Sequence, residues 1–418
     1  MTLVAELELP AFDYTDPSLR GERFHEEMAA VRAKGWLAEG PYGYIALDRE
    51  SAEFFLRTRS AIFPGMKIAE IFGVSEGPLY EQMKRNILHV NGPDHTRLRS
   101  LVNPALSPRA VERYRPEMSG FMQELLDQAT ASYGSDGSVR CDFVEAFAKP
   151  YPSLVIASVM GAPLEDAPKL HHWSNWIQRQ FDAGSMATER EEIERAVEEF
   201  YEYAESLLRT RRESPGDDLI SKLIAAVGPD AHPPDRLSDV ECINLVFNVL
   251  VGGVDTSQSQ LAHAIRLLAE HPDQWQRLQE DPSQAEGAVE EALRYEPITP
   301  FTARILTEEI SYRDVTFPQD TIMMICAFTG NRDLGDEVQQ DAERFDIAAA
   351  PEGGRGRALT FGAGVHYCLG ANLARLELQE GLAFLATHLK ELELDGEPEF
   401  GTISGIYGLD KLPVRFRR

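Results

Sequence analysis

The run Phe361-Gly-Ala-Gly-Val-His-Tyr-Cys368-Leu-Gly370 says more about the fold of this chain than any other stretch of its 418 residues. Glycines surround one cysteine, and glycine lets backbone pass close to a flat group or adopt a positive φ. A helical pattern begins directly after the run, at Ala371. A cysteine at a helix N-terminus lies among free N–H donors at the positive end of the dipole, which favours its thiolate. The run therefore predicts a thiolate ligand presented by a glycine-rich loop.

The remaining cysteines, Cys141, Cys242 and Cys326, are scattered and have no ligand-like neighbours. No CxxC pair and no Cys/His cluster with zinc spacing is present in the sequence. We expect these three side chains to be small buried hydrophobes. Four cysteines without a disulfide framework fit a reducing cytoplasm.

The cysteine run resembles, position for position, the F-G-x-G-x-H-x-C-x-G signature of the cytochromes P-450. The resemblance implies haem b as the cofactor, with Cys368 as the ligand of its iron. Thiolate ligation of haem in this family favours O–O cleavage. The other haem-contacting residues that it implies in the run are Phe361, Gly362, Gly364, His366 and Gly370.

Net charge and apolar patterning narrow the function classes. The formal charge is -27, from 41 Lys and Arg against 68 Asp and Glu, which disfavours nucleic acids and anionic membranes as partners. The longest apolar stretch, Cys242–Val254, is interrupted by Asn and Gly and is too short to span a bilayer. The N-terminus has no basic flank or apolar run. We expect a cytoplasmic protein without a membrane anchor.

The pattern along the chain predicts a mainly α protein with small β-sheets, of the α+β class. Helical periodicity dominates from about 93 to 300 and again from 365 to 390. Strand patterns lie near 36–47, 304–327 and 398–417. The Gly/Pro-rich segment 228–235 has the composition of a linker. We interpret it as a loop before a long helix, because Ser238-Asp-Val-Glu241 forms a capping box after it. The resemblance implies one triangular domain over 1–418.

The helix predicted after Ser238 carries Gly252, Gly253, Asp255 and Thr256. Adjacent glycines inside a helix cost about 1 kcal/mol each relative to Ala, so something must approach the backbone there. Taken alone, the segment fits equally a packing glycine pair followed by a surface Asp-Thr. It also resembles the family's A/G-G-x-D/E-T groove. That resemblance implies that Thr256 holds dioxygen and that Asp255 relays protons toward it.

Two further groups of residues match the family's haem supports. Alone, an E-x-x-R pair is weak evidence, since most such pairs are exposed; each Arg alone fits an ordinary surface charge. The resemblance implies a buried structural triad of Glu291, Arg294 and Arg344. It also implies that the haem propionates are bound by His95, Arg99, Arg304 and His366. The segment 334–341 departs from the family pattern, which leaves the conformation of that loop open.

A mostly apolar pocket is the last site that the family positions imply. Its expected residues are Asn248, Val251, Pro300, Phe301, Ile406 and the loop 66–80. Asn248 is polar, so it either makes a buried structural contact or bonds a polar group of the substrate. The pocket predicts a lipophilic small molecule as substrate.

The implied chemistry is hydroxylation, in which one oxygen atom from O2 enters the substrate. It needs two electrons, and the sequence has no flavin or dinucleotide fingerprint. We expect a separate iron–sulfur ferredoxin and its reductase, docking on a basic patch that includes Arg109, Arg113 and Arg357. Two alternatives stay open: a haem-thiolate enzyme that uses peroxide, isomerises or couples, and a non-catalytic haem carrier or sensor.

Overall fold

The computed structural model describes residues 1–131, 134, 137–226, 236–333, 342–349 and 358–418. Its helices are α1 Gly21–Arg32, α2 Arg49–Arg57, α3 Met66–Ile71, α4 Pro78–Arg85, α5 Gly92–Val102, α6 Pro108–Val111, α7 Arg115–Ala129, α8 Pro150–Met160, α9 Ala167–Gln178, α10 Ala183–Thr188, α11 Arg190–Glu213, α12 Leu219–Ala225, α13 Asp239–Gly253, α14 Asp255–Glu270, α15 Pro272–Glu280, α16 Ala285–Tyr295, α17 Ala327–Gly330 and α18 Ala371–His388. Its strands are β1 Thr2–Leu3, β2 Leu37–Gly40, β3 Gly43–Ala46, β4 Ala61–Ile62, β5 Val139–Asp142, β6 Phe301–Leu306, β7 Ile310–Tyr312, β8 Val315–Phe317, β9 Ile322–Cys326, β10 Lys390–Leu394, β11 Glu399–Phe400, β12 Leu409–Lys411 and β13 Pro413–Arg417.

A nearly continuous helical rod, α13 followed by α14, runs through the core. It begins with the predicted capping box: the Ser238 hydroxyl accepts from the Glu241 N–H, and the Glu241 carboxylate accepts from the Ser238 N–H. The rod is interrupted at Val254, whose ψ is -71°. Helices α8, α16 and α18 pack against α14. Because α14 is buried nearly all round, it holds the other helices in register.

A five-stranded sheet of order β2-β3-β9-β6-β4 stands beside the helices. Its β2–β3 hairpin closes between Gly40 and Gly43. A Cβ on Gly43 would clash with the Ile322 carbonyl of β9, so only glycine allows this close approach. Strand β6 is antiparallel to β9 and carries Phe301 and Arg304 toward the interior.

The structure confirms the predicted α+β class and adds details that the pattern did not indicate. Strand β5 lies inside the region predicted to be helical and pairs antiparallel with β13 near the C-terminus. Helices α1 and α2 precede the predicted helical core. The segments 228–235 and 334–341 lie outside the described residues, so their predicted conformations stay predictions.

One helical stretch of the described chain, Asp239–Glu270, is long and apolar enough to cross a membrane by length and composition. Of its most apolar window, 67% is buried inside the fold. The stretch is the α13–α14 rod, and burial on this scale is the pattern of a core helix.

Candidate active site

A cavity of about 510 Å³ lies between the α13–α14 rod and the cysteine loop. Gly252 and Thr256 line it from the rod, and Cys368 and Gly370 line it from the loop. The cavity thus brings together residues that the sequence places more than a hundred positions apart.

The thiol of Cys368 lies at the base of this cavity, just before α18. The Cys368 N–H donates to the Phe361 carbonyl at 2.9 Å, which closes the loop. Burial raises the pKa of the Cys368 thiol, against the N–H groups of Gly370 and Ala371 and the charges of Arg99 and Arg375, which lower it. A coordinated metal cation deprotonates a thiol outright, so a bound iron would reverse the effect of burial.

The glycines around the cavity fall into two groups. A Cβ on Gly252, Gly362 or Gly370 would meet open space, and all three residues line the cavity. A Cβ on Gly364 would clash with the Leu56 carbonyl, and one on Gly253 would clash with Ile156. The first group leaves room for a ligand against bare backbone, and the second permits close packing.

Cationic groups gather at one side of the cavity without an acidic partner among the described residues. Arg304 is 4% exposed, donates to the Ala303 carbonyl at 2.8 Å, and has its pKa lowered to about 10 by burial. Arg99 lies beside His95 and has its pKa lowered by burial. Burial and the neighbouring His95, Arg304 and Arg99 side chains lower the pKa of His366 to about 3.

Buried cations without counter-charges are costly, so this cluster needs an anion. A flat macrocycle with acidic arms and a central metal would supply one. It would fit the bare glycine backbone, place its metal at the Cys368 sulfur and direct its carboxylates toward Arg99 and Arg304. The donor set therefore fits haem.

The Glu291–Arg294 ion pair is a structural support of the site. Both Arg294 Nε and Nη2 lie 2.8 Å from the Glu291 carboxylate, and both side chains are buried. Arg294 also donates to the carbonyls of Ala342 and Arg344, at 2.8 and 2.9 Å. The predicted triad of side chains is therefore wrong in one member. Arg344 contributes its backbone carbonyl, and the residue itself is exposed.

The sequence did not predict the side-chain contacts that attach the cysteine loop to α16. Arg375 pairs with Glu290, donates to the Tyr367 hydroxyl at 3.0 Å and stacks over the Phe361 ring at 4.5 Å. The Thr360 hydroxyl donates to the Leu293 carbonyl at 2.5 Å. The arginine was visible in sequence, but its partners come from a separate helix.

The rod carries the predicted acid and hydroxyl in different settings. The Thr256 hydroxyl donates to the Gly252 carbonyl at 2.5 Å and the residue lines the cavity. The Asp255 carboxylate instead accepts from Ser174 at 2.5 Å and Asn175 at 3.3 Å, both on α9. Burial raises the pKa of Asp255, so the group retains its proton closer to neutral pH. Its partners on α9 were not visible in the sequence.

Most of the predicted pocket residues line the cavity. They are Asn248, Val251, Phe301 and Ile406, with Ile68 and Ile71 of α3 and Phe72 after it, in the segment 66–80 that was predicted to be a loop. Pro300 is the exception: it is buried and its carbonyl accepts from the Ala327 N–H. Its neighbours Ile298 and Thr299 line the cavity instead, together with Gln178 and Phe181, which sequence reasoning missed.

Within the described ranges, no group of three or more His, Cys, Asp and Glu side chains could hold a metal ion. Cys326 is buried, and burial raises the pKa of Cys141 and of Cys242 to about 12. Thiols with so high a pKa are unreactive. Of the four cysteines, Cys368 is the one that lines the cavity.

Comparison with known proteins identifies the family. The family model "Cytochrome P450" matches residues 48–400. Luteothin monooxygenase of Streptomyces thioluteus is 33% identical over 410 residues, which are 98% of this chain and 96% of that protein. The crystal structure of CalO2 superposes with a TM-score of 0.86 at 29% identity, covering 98% and 99% of the two chains. A myxobacterial cytochrome P450 solved with myristic acid gives 0.82 at 30% identity, over 97% and 98%.

The family model covers most of the chain, and the monooxygenase relative aligns over nearly all of it. Haem b is the cofactor of this family, in which the haem is bound through a thiolate. The chain belongs to the cytochrome P450 family and is a P450 monooxygenase.

Proposed function

We propose that this monooxygenase hydroxylates a lipophilic small molecule, with Cys368 as the iron ligand and with electrons from a separate ferredoxin and its reductase. The observation that carries the proposal is the cavity shared by Cys368, Thr256, Arg99 and Arg304, the last two of which have no acidic partner among the described residues. We take the chain as one cytoplasmic domain over 1–418.

A haem held by a thiolate activates dioxygen and favours cleavage of its O–O bond. The chain's own residues would then supply protons and exclude water. Burial raises the pKa of Asp255, which favours its protonated form, and the next residue, Thr256, lines the cavity. Because the Asp255 carboxyl group bonds α9, proton transfer to Thr256 needs a side-chain rotation or a bridging water.

Arg99 and Arg304 would bind the haem propionates, with His95 and His366 as neutral donors. Burial depresses the pKa of both histidines, so they remain uncharged near neutral pH. His366 also contacts the Asn91 amide oxygen at 3.0 Å, which fixes its ring. Glu291 and Arg294 act as positioning residues beneath the cysteine loop.

The spectrum of the reduced, CO-bound protein tests the ligand assignment. A Soret band shifted far to the red in wild type and lost in Cys368→Ala would support it. An imidazole-like CO spectrum in folded wild-type protein would overturn it. Product formed from O2 with a ferredoxin and reductase, and not with peroxide alone, would separate the monooxygenase from the peroxide-using alternative.

The electron donor would dock near the cysteine loop, but few of the expected arginines carry free charge there. Arg113 pairs with Asp217, and Arg115 pairs with Glu112 and Glu380. Arg109 is exposed on α6, which packs against the start of α18. Arg357 lies outside the described residues.

We expect Arg109→Gln to slow reduction by an acidic ferredoxin at low salt, and the difference to shrink as ionic strength rises. Arg195→Gln is the matched control, because Arg195 is exposed on α11, which packs on α9 and α13 away from the loop. Equal reduction rates for the two variants would contradict docking at this face.

A further inference from the structure

The charged lining of the cavity belongs to the haem side. In the described part of the chain, the Arg and Lys side chains that line the cavity are Arg99 and Arg304. Arg99 lies one helical turn after His95, whose ring centroid is 4.3 Å from that of His366 in the cysteine loop, and Arg304 belongs to the same cationic cluster. The lining carboxylate, Glu377, lies on α18 behind the cysteine loop. The substrate side is therefore uncharged, and its polar groups are mainly amides and hydroxyls.

Two of these amides are held in a fixed orientation at the contact between α9 and α13. The Asn248 Nδ2 donates to the Asn244 carbonyl at 2.6 Å, and the Gln178 Nε2 donates to the Val251 carbonyl at 3.0 Å. A backbone carbonyl only accepts hydrogen bonds, so in each case the NH2 group must face it. Hydrogen-bond complementarity therefore determines which end of each amide faces the carbonyl.

Each fixed amide leaves a carbonyl oxygen without a donor. Gln178 Oε1 is buried, and no donor among the described residues reaches it. Asn248 Oδ1 likewise accepts no hydrogen bond from the described chain, and its residue lines the cavity. The two residues are neighbours, since Gln178 bonds the residue three positions after Asn248. Gln180 repeats the pattern, with Nε2 on the Ile177 carbonyl and Oε1 unpaired.

An unpaired acceptor in a largely apolar cavity selects for ligands that bring a donor. A site built to hydrogen-bond a hydroxyl or N–H group rejects an analogue that lacks it, because the acceptor then stays desolvated and unpaired. A carboxylate is disfavoured further, since it would face an amide oxygen on a side of the cavity where the described residues supply no cation.

We infer that the substrate is an uncharged, largely apolar molecule whose hydroxyl or N–H group donates to Asn248, and that molecules ending in a carboxylate bind poorly. This rests on the proposed function, because it assigns this part of the cavity to the substrate. The myxobacterial relative solved with myristic acid shows that the fold itself does not exclude fatty acids, so the selection lies in these side chains.

The test uses the haem-loaded, oxidised protein without any electron donor, and reads binding by calorimetry. The probes are decan-1-ol, its methyl ether 1-methoxydecane, and decanoate, which share one chain length. We expect decan-1-ol to bind about tenfold more tightly than the ether, with decanoate no tighter than the ether.

Variants test whether Asn248 causes the preference for the alcohol over the ether. Asn248→Leu should reduce the alcohol-to-ether ratio toward one while the affinity for the ether is kept. Ser404→Ala, another polar lining residue, should keep the wild-type ratio. Retained haem absorption verifies that each variant is folded.

Tight binding of decanoate, or an alcohol preference that survives Asn248→Leu, would overturn the inference. Failure of the proposed function has a different signature. In that case the alcohol preference is intact, but ferredoxin, reductase and O2 yield no hydroxylated product.

Discussion

At the residue scale, the most unusual ionisable group is Glu377. It is buried on α18, accepts from the Ser257 hydroxyl at 2.9 Å, and has a second oxygen without a partner in the described chain. Burial raises its pKa to about 8, whereas a free glutamate titrates near about 4.3. The folded protein therefore keeps this proton over a pH range in which the unfolded chain releases it.

It follows that stability should fall as pH rises from about 4.3 to about 8, because the unfolded state binds fewer protons over that range. We expect Glu377→Gln to remove this dependence, so that the variant matches wild type at pH 5 and unfolds at a higher temperature at pH 8.5. Thermal unfolding of haem-loaded wild type and Glu377→Gln at these two pH values measures the difference. Parallel pH profiles for the two proteins would contradict the assignment.

Asp255 is the second residue with an unusual environment. Asp255→Asn keeps the shape of the group and can still bond α9, but it has no acidic proton. Because general acid catalysis typically contributes about 100-fold or more, we expect product formation to slow by roughly that factor. Substrate affinity should be unchanged. Asp239→Asn, on the exposed first turn of α13, is the control, and equal turnover in both variants would exclude Asp255 from proton delivery.

At the element scale, Gly252 and Gly253 are adjacent in the α13–α14 rod but have different surroundings. A Cβ on Gly252 would meet open space, whereas one on Gly253 would clash with Ile156 of α8. We expect Gly253→Ala to lower the free energy of unfolding by about 1–3 kcal/mol through overpacking. Gly252→Ala should be at least as stable as wild type, because alanine favours helix by about 1 kcal/mol. Urea unfolding compares the two, and equal losses would contradict this division of roles.

The same rod shows what the sequence could and could not predict. Its start was predictable because a capping box is a local signal, and the bare backbone at Gly252 was predictable because glycine inside a helix is costly. The contact between Asp255 and α9 was not, because two helices distant in sequence make it. Strand β5 was missed for a similar reason: it is short, and its partner β13 lies about 270 residues later.

At the scale of the whole molecule, a buried ionic cluster ties distant segments together. Glu296, which follows α16, is fully buried and accepts from Arg266 of α14 at 2.8 Å. It also contacts His25 of α1 at 2.9 Å. Despite the opposing effect of burial, His25 and Arg266 hold the pKa of Glu296 well below its usual range. The cluster therefore connects the N-terminal helix, the central rod and the segment that leads to β6.

This cluster contributes stability above the pKa of glutamate in the unfolded chain, about 4.3, and loses it as pH falls further toward the depressed folded value. Removing one partner leaves a buried charge unpaired, so we expect Glu296→Gln or Arg266→Met to cost about 3–5 kcal/mol at pH 7. The double variant Glu296→Leu/Arg266→Met should lose less than the two single losses combined, because neither charge then remains buried alone. Urea unfolding at pH 7 and pH 4 measures all of these. Strictly additive losses, or single-variant losses that do not shrink at pH 4, would show that the cluster does not act as one unit.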